Sequence, residues 1–325
     1  MERLGVLRCR QDLLCNRIMT KTRPTSTFQI TLPATSANLG PAFDAAAIAL
    51  SMFLRVKAKV VGEFSIAASG RDREICGRID DHLILTTYRE VLESQGKAIR
   101  PLALEIDNEI PIGKGCGSSA AARLAGIALA NHFGRLRWSD RQIVGEAARR
   151  EHHPDNAAAC WLGGLAVART LENGEAQVAS IPPKGKWPLL LAVPQESLPT
   201  EQARRVLPAQ YSRADAVTNI QNSMLLLSAF ALGRPELLSA ALEDRLHQPY
   251  RAPLCPLLPA LQNLKDKGIL GVALSGAGPS VLIFLDAKAN ARKVTQRVRQ
   301  LLRSSGLEAE LLPTAITITG ARANA

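Results

Sequence analysis

The stretch of this 325-residue chain with the clearest chemistry is Pro111-Ile-Gly-Lys-Gly-Cys-Gly-Ser-Ser-Ala-Ala121. Its glycines alternate at Gly113, Gly115 and Gly117, so the backbone can turn tightly and approach a ligand closely. Ser118, Ser119 and Ala120 then open a run of small residues with helical character. Free N–H groups at a helix start, with the positive end of its dipole, suit a phosphate. The two hydroxyls can reach a phosphate oxygen or a metal ion beside it, and Lys114 adds positive charge. Two common phosphate loops are excluded. The G-x-x-x-x-G-K-[ST] spacing is missing, and G-x-G-x-x-G fails after Gly117. Taken alone, the loop is also compatible with a tight turn in which Ser118 is a plain N-cap.

Three other polar clusters accompany it. Pro33-Ala-Thr-Ser-Ala-Asn-Leu-Gly-Pro-Ala-Phe-Asp44 ends in an acid, Glu151-His-His-Pro-Asp-Asn156 closes a helical stretch, and Ser275-Gly-Ala-Gly-Pro-Ser280 lies between two apolar runs. Singly, each reads as a turn. In this order they resemble the motifs of the GHMP kinases (galactokinase, homoserine kinase, mevalonate kinase and phosphomevalonate kinase). The wording is nearest to the homoserine kinases, whose first motif usually reads P-A-S-S-A-N-L-G-P-G-F-D. His153-Pro-Asp-Asn156 with Gly163-Gly164 is similar to their H-P-D-N…G-G signature. Thr200-Glu-Gln-Ala-Arg204 and Gln248-Pro-Tyr-Arg251 look like their substrate-binding segments. The resemblance spans about residues 27 to 320.

The resemblance implies ATP-dependent phosphorylation of L-homoserine to O-phospho-L-homoserine, a step of threonine biosynthesis, with ATP and Mg²⁺ as cofactors. It places the ATP phosphates on Pro111, Gly113, Lys114, Gly115, Cys116, Gly117, Ser118, Ser119 and Ala120. Ser119 and Glu151 would hold Mg²⁺, with Glu146 as the competing acid. Asn38, Asp44, Asn156, Thr200, Arg204, Arg251 and Gly276 would face substrate. Within that set, Asp44 suits an ammonium group, and the Arg204 and Arg251 forks suit a carboxylate. The catalytic group would be Asn156, Asp44 and Glu151. An amide accepts no proton at neutral pH, so Asn156 is no base, and positioning with charge stabilisation carries the reaction. Asp44 as base is the less favoured alternative, and Asp155 is expected to be structural.

The chain departs from the pattern at four places. Ala42 and Ala47 replace usual glycines. Cys116 replaces a leucine, either as a reactive thiol at a helix start or as a small buried residue. His82 stands where an asparagine commonly contacts adenine. Another GHMP kinase, acting on mevalonate or an isoprenoid precursor, is the alternative enzyme. A non-catalytic nucleic-acid binder is the alternative of another class.

The elements that must position these groups mix strands and helices without regular βα alternation, which predicts an α+β fold. Phe28 to Leu32 alternates as a strand, Pro33 to Pro41 reads as a loop, and Ala45 to Val60 fits either strand or helix. Helices are expected over 83–95, 120–131, from Ser139 or Asp140 to about Arg150, and over 217–232, 256–267 and 287–304. Strands are expected at 102–106 and 189–193, on either side of a turn within 271–285, and last at 315–319. The resemblance implies an N-terminal domain like domain 2 of a small-subunit ribosomal protein and a ferredoxin-like C-terminal domain. The boundaries are an extension over 1–24, an ATP-binding domain over 25–183 and a second domain over 184–325, joined near Ile181 to Gly185.

Composition narrows the rest. Hydrophobic residues at 46% and charged residues at 21% suit a globular chain with a core. The net charge of +11 raises nucleic acid as a partner, but an aromatic share of 4% disfavours stacking on single strands. Residues 1–24 hold six cations against two acids, leaving +7 on the rest. That segment is expected to be an unstructured extension, or a start placed too early with Met19 the true one; a targeting peptide is the other reading. No apolar run is long enough to cross a membrane, and Met224 to Leu232 reads as a buried helix segment. Six dispersed cysteines without a Cys-x-x-Cys pair predict reduced thiols in a cytoplasmic protein, not a zinc site. The expected partners are a small-molecule substrate and, as often among homoserine kinases, a second copy in a homodimer; no nucleic acid and no membrane are expected.

Overall fold

A computed structural model describes residues 27–264 and 266–324. Residues 1–24, read above as the basic extension, lie outside the described residues. Two sheets organise the chain. The first contains β1 (Thr27–Asn38), β2 (Ala42–Val60), β3 (Ser65–Gly70), β4 (Leu102–Asn108), β5 (Leu165–Thr170) and β6 (Ala176–Ile181). The second contains β7 (Pro188–Val193), β8 (Ile269–Leu274), β9 (Val281–Leu285) and β10 (Glu310–Ala315). A last strand, β11 (Arg322–Asn324), returns to the first sheet and pairs with β1.

The order in the first sheet is β11-β1-β2-β4-β3, with β5 on β2 and β6 on β5. The long β2 serves two neighbours: Ala46–Ile48 pairs with β5, and Leu54–Val60 pairs with β4. All pairs are antiparallel except β3 with β4. That parallel pair needs a crossover, which carries the helix Leu83–Ser94. The second sheet is antiparallel in the order β10-β7-β9-β8.

The α+β class holds, and the differences have local causes. Strand β1 runs on to Asn38 instead of stopping at Pro33, after a register shift between Pro33 and Ala34. Its small residues Ala34 to Ala37 are buried throughout, so no apolar–polar alternation marks the strand. The ambiguous 45–60 run is strand. The last long strand is Glu310–Ala315; of the alternating 315–319 stretch, Ile316 to Thr319 lies beyond it, with Ile318 70% exposed. The expected 256–267 helix is only Leu257–Gln262. Met224 and Leu232 are exposed, so that segment is buried only in part, through Leu226, Ala229 and Phe230. No helix among the described residues is long and apolar enough to cross a membrane.

Candidate active site

The Gly-rich loop leads into the helix Ser118–Phe133, with Gly117 as its N-cap. Gly113, Gly115 and Gly117 have φ of 70°, 79° and 70°, a region that glycine enters without strain. Close packing adds a second reason at two of them. A Cβ on Gly115 would come within 2.2 Å of Ser275 O, and one on Gly117 within 1.9 Å of Thr35 Oγ1. Ser118 is thus the first helical residue and not the cap; its Oγ accepts from Gly113 N at 3.4 Å. Ala120 and Pro111 are buried beside it.

The other motif loops lock onto this one. Thr35 N donates to Cys116 O at 3.1 Å, Ser275 Oγ donates to Gly115 O at 2.8 Å, and Ser280 N donates to Lys114 O at 3.3 Å. Gly276, in the αL region, donates its N–H to Ala37 O. Lys114 turns its ammonium to Gln195 O.

Ser119 and Glu151 meet. Ser119 Oγ donates to Glu151 Oε1 at 2.6 Å, and Arg123 Nε donates to the same oxygen at 2.6 Å. Glu151 ends the helix Asp140–Glu151, whose start is fixed by a capping box of Ser139 and Gln142. The competing Glu146 is engaged elsewhere, by Arg149 and Arg150. Asn156 accepts from Thr35 Oγ1 at 2.6 Å. Asp155, buried at the start of the helix Asp155–Leu162, accepts from Asn156 N and from His153 Nδ1. Burial works to lower the His153 pKa, but the Asp155 hydrogen bond and charge outweigh it and raise it.

The turn between β1 and β2 is strained. Asn38, Leu39 and Gly40 follow one another at positive φ, and Asp44 also has φ of 53°. Ala42 and Ala47 do not, so the loss of glycine there costs no backbone strain. The turn is held from the second half of the chain: Asn38 Nδ2 donates to Gly276 O at 2.8 Å, Asn219 Nδ2 to Pro41 O at 2.6 Å, and Ser223 Oγ to Pro41 O at 2.8 Å. Asn38 Oδ1 accepts from Asp44 N. The Asn38 amide therefore shapes the turn.

Asp44 and Arg204 form a two-point pair at 2.7 and 3.0 Å. Thr200, exposed, begins the helix Thr200–Arg205 that delivers Arg204. Arg251 is 1% exposed, and no carboxylate among the described residues lies within ion-pair distance of it. Its Nε donates to Ala203 O at 3.0 Å. Burial, then the charge of Arg204, pull its pKa down to about 10, which leaves it cationic near neutrality. Phe43 lies under both guanidinium groups, 5.4 Å from Arg204 and 5.3 Å from Arg251.

Burial bears on two of the departures. Cys116 is buried, and its thiol is pushed up to about 12 by desolvation. It is the small buried residue, not the reactive thiol. At pH 8 about one molecule in ten thousand would carry the thiolate, so thiol reagents are expected to leave Cys116 unlabelled in the folded protein; rapid labelling, located by peptide mapping, would contradict this burial. His82 precedes the helix Leu83–Ser94 and turns Nε2 to Cys76 O at 3.1 Å, while Nδ1 is buried without a protein partner. Burial lowers its pKa, so it is neutral.

Sequence reasoning passed over Thr35, Phe43 and Arg123. Thr35 and Phe43 lie inside the first motif, where only the Asn and Asp were singled out. Arg123 is one turn after Ser119, a helical spacing that was available.

Comparison with known proteins agrees with this geometry. Models of the GHMP kinases N terminal domain and of GHMP kinases C terminal match residues 82–164 and 226–304. The chain is 43% identical over 297 residues to a homoserine kinase of Solibacter usitatus, covering 91% of this chain and 96% of that one. The chain belongs to the homoserine kinase family. A homoserine kinase of Deinococcus radiodurans is 33% identical over 298 residues, covering 91% and 97%. The crystal structure of homoserine kinase from Cytophaga hutchinsonii superposes with a TM-score of 0.76 at 22% identity, covering 93% of this chain and 99% of that one, and so shares the two-part fold. The family places this chain among the ATP-dependent small-molecule kinases.

Proposed function

We propose that this kinase transfers the γ-phosphoryl group of ATP to the side-chain hydroxyl of L-homoserine, and that Arg251 is the observation carrying the choice of acceptor. A buried guanidinium without a counter-ion is costly unless a ligand supplies the charge. With the Asp44–Arg204 pair beside it, the pocket presents one acid and two cations. A zwitterionic amino acid fits that set: its carboxylate on Arg251 and Arg204, its ammonium on Asp44. Mevalonate has a carboxylate but no ammonium, so it would leave Asp44 without a gain. Asn38, Thr200 and Gly276 would border the same pocket. The alternative of nucleic-acid binding finds no support in this arrangement.

The N–H groups from Gly113 to Ser119 would cradle the phosphates. Ser119 and Glu151 fit Mg²⁺, which takes one or two protein oxygens and completes its shell with phosphate and water. Glu151 already attracts a cation in Arg123. Ser119 and Glu151 would hold Mg²⁺, whose positive charge would help offset the charge developing during transfer. Asp44 has both oxygens on Arg204, which suits a charge partner rather than a base. Asn156 orients, and the hydroxyl proton would pass to the phosphoryl group. The same reading takes residues 25–183 as the ATP-binding domain and 184–325 as the second domain, with β11 crossing back. The setting it implies is the cytoplasm, where the four buried free cysteines stay reduced.

The test is Mg²⁺-dependent ADP release with L-homoserine, mevalonate and galactose as acceptors. Turnover is expected with homoserine alone; a rate no higher than the acceptor-free background would sink the assignment.

A further inference from the structure

His247 is fully buried at the join between the two halves of the molecule, and every polar atom of its ring is engaged. Nε2 faces Gly40 O at 2.8 Å, and Nδ1 faces Arg251 Nη1 at 3.1 Å. A carbonyl can only accept and a guanidinium can only donate. The ring therefore carries its proton on Nε2, donates to Gly40 O and accepts from Arg251. Its face stacks on Phe43, with centroids 5.2 Å apart. The neutral form is enforced by the surroundings: burial, then the Arg251 charge, outweigh Asp244 and bring the His247 pKa down to about 4. Asp244 holds the backbone from below, accepting from Leu246 N, His247 N and Gln248 N at 2.8, 3.0 and 2.5 Å.

We propose that His247 is a positioning residue for the substrate carboxylate, using its neutral imidazole to fix the Arg251 guanidinium while clamping the strained Asn38–Gly40 turn that leads to Asp44. One ring thus sets the spacing between the cation for the carboxylate and the acid for the ammonium. The proposal rests on the reading that Arg251 and Asp44 bind the amino-acid acceptor. It adds a residue that touches no substrate yet governs how the pocket measures one. Two of the five Arg251 N–H groups are taken, by Ala203 O and His247 Nδ1, so the direction of the remaining three is set.

Two substitutions separate the two halves of this role. His247→Gln can keep an N–H near the Nε2 position but loses the acceptor at Nδ1. His247→Asn can keep an acceptor near Nδ1 but loses the donor to Gly40. A hydrogen bond to a charged group is worth roughly ten- to a hundredfold in an equilibrium constant. The Gln variant is therefore expected to raise the KM for homoserine roughly ten- to a hundredfold, with the KM for ATP within about threefold of the parent. The Asn variant should recover much of the homoserine KM. A role limited to folding would lower the melting temperature but leave the homoserine KM alone, or would move both KM values together; either result overturns the proposal. Arg251→Ala is the control arm. If that variant keeps the parental homoserine KM, the reading of the pocket itself is wrong; if its KM rises but that of the Gln variant does not, only the role of His247 falls. A readout free of turnover is the imidazole ¹⁵N spectrum of the parent, where His247 should remain in the Nε2–H form at pH 6. Protonation there would equally overturn the assignment.

Discussion

Replacing Arg251 with alanine is expected to raise the KM for homoserine by about 30- to 5,000-fold, the equivalent of about 2–5 kcal/mol for a buried charge pair that loses one partner. The size follows from burial. A surface ion pair contributes at most about 1 kcal/mol because water and salt screen it. Arg251 is 1% exposed, so a carboxylate that reaches it leaves water as well. The effect should fall on homoserine and not on ATP, because the guanidinium is tied to Ala203 O and His247 and not to the Gly113–Ser119 loop. Arg204→Ala makes a useful comparison. It frees Asp44 from a partly exposed pair, with side chains 33% and 31% exposed, so its effect on KM should be the smaller of the two. Initial rates at saturating ATP, with homoserine varied, measure both. An Arg251→Ala enzyme with an unchanged KM would take Arg251 out of the pocket.

The loops that carry the chemistry were legible because their constraints are local. Gly113, Gly115 and Gly117 need positive φ within five residues, and glycine is the residue type that such a backbone selects. Ser139 with Gln142 three residues on is a capping box readable from spacing alone. Pairing Glu151 with Ser119 came from the family's motif order, and the structure adds the distance. What stayed hidden depends on contacts between distant parts of the chain. His247 bonds Gly40 across 207 positions, and nothing near either residue announces it. Phe43 reads as one apolar residue in a motif, yet it lies under two guanidinium groups from separate helices. The strand continuing from Pro33 to Asn38 was hidden for a different reason. Alternation reports a sheet with one wet face, and here both faces are covered. The return of β11 to the first sheet is likewise a matter of topology, since three residues carry too little pattern to pair by.

Gly117→Ala is expected to cut kcat at least about a hundredfold, the scale at which one misaligned donor to a developing charge is felt. Two constraints act together there. With φ of +70°, any L side chain is strained, by about 1–2 kcal/mol. The added Cβ would also stand 1.9 Å from Thr35 Oγ1 and 3.2 Å from Asn156 Oδ1. Thr35 has little room to yield, because its Oγ1 donates to Asn156 and its N–H donates to Cys116 O. Moving it shifts the first motif, the Asn156 turn and the phosphate loop at once, and re-aims the N–H groups that open the helix Ser118–Phe133. The homoserine KM should change less than kcat, since Arg204 and Arg251 stand on other elements. Adding Thr35→Ala to Gly117→Ala removes the closest contact but not the strain of positive φ. The double variant should therefore regain part of the lost kcat, and the two changes should couple by more than about 0.5 kcal/mol, beyond what independent sites show. If Gly117→Ala alone keeps the parental kcat, the loop does not hold the phosphate that is transferred.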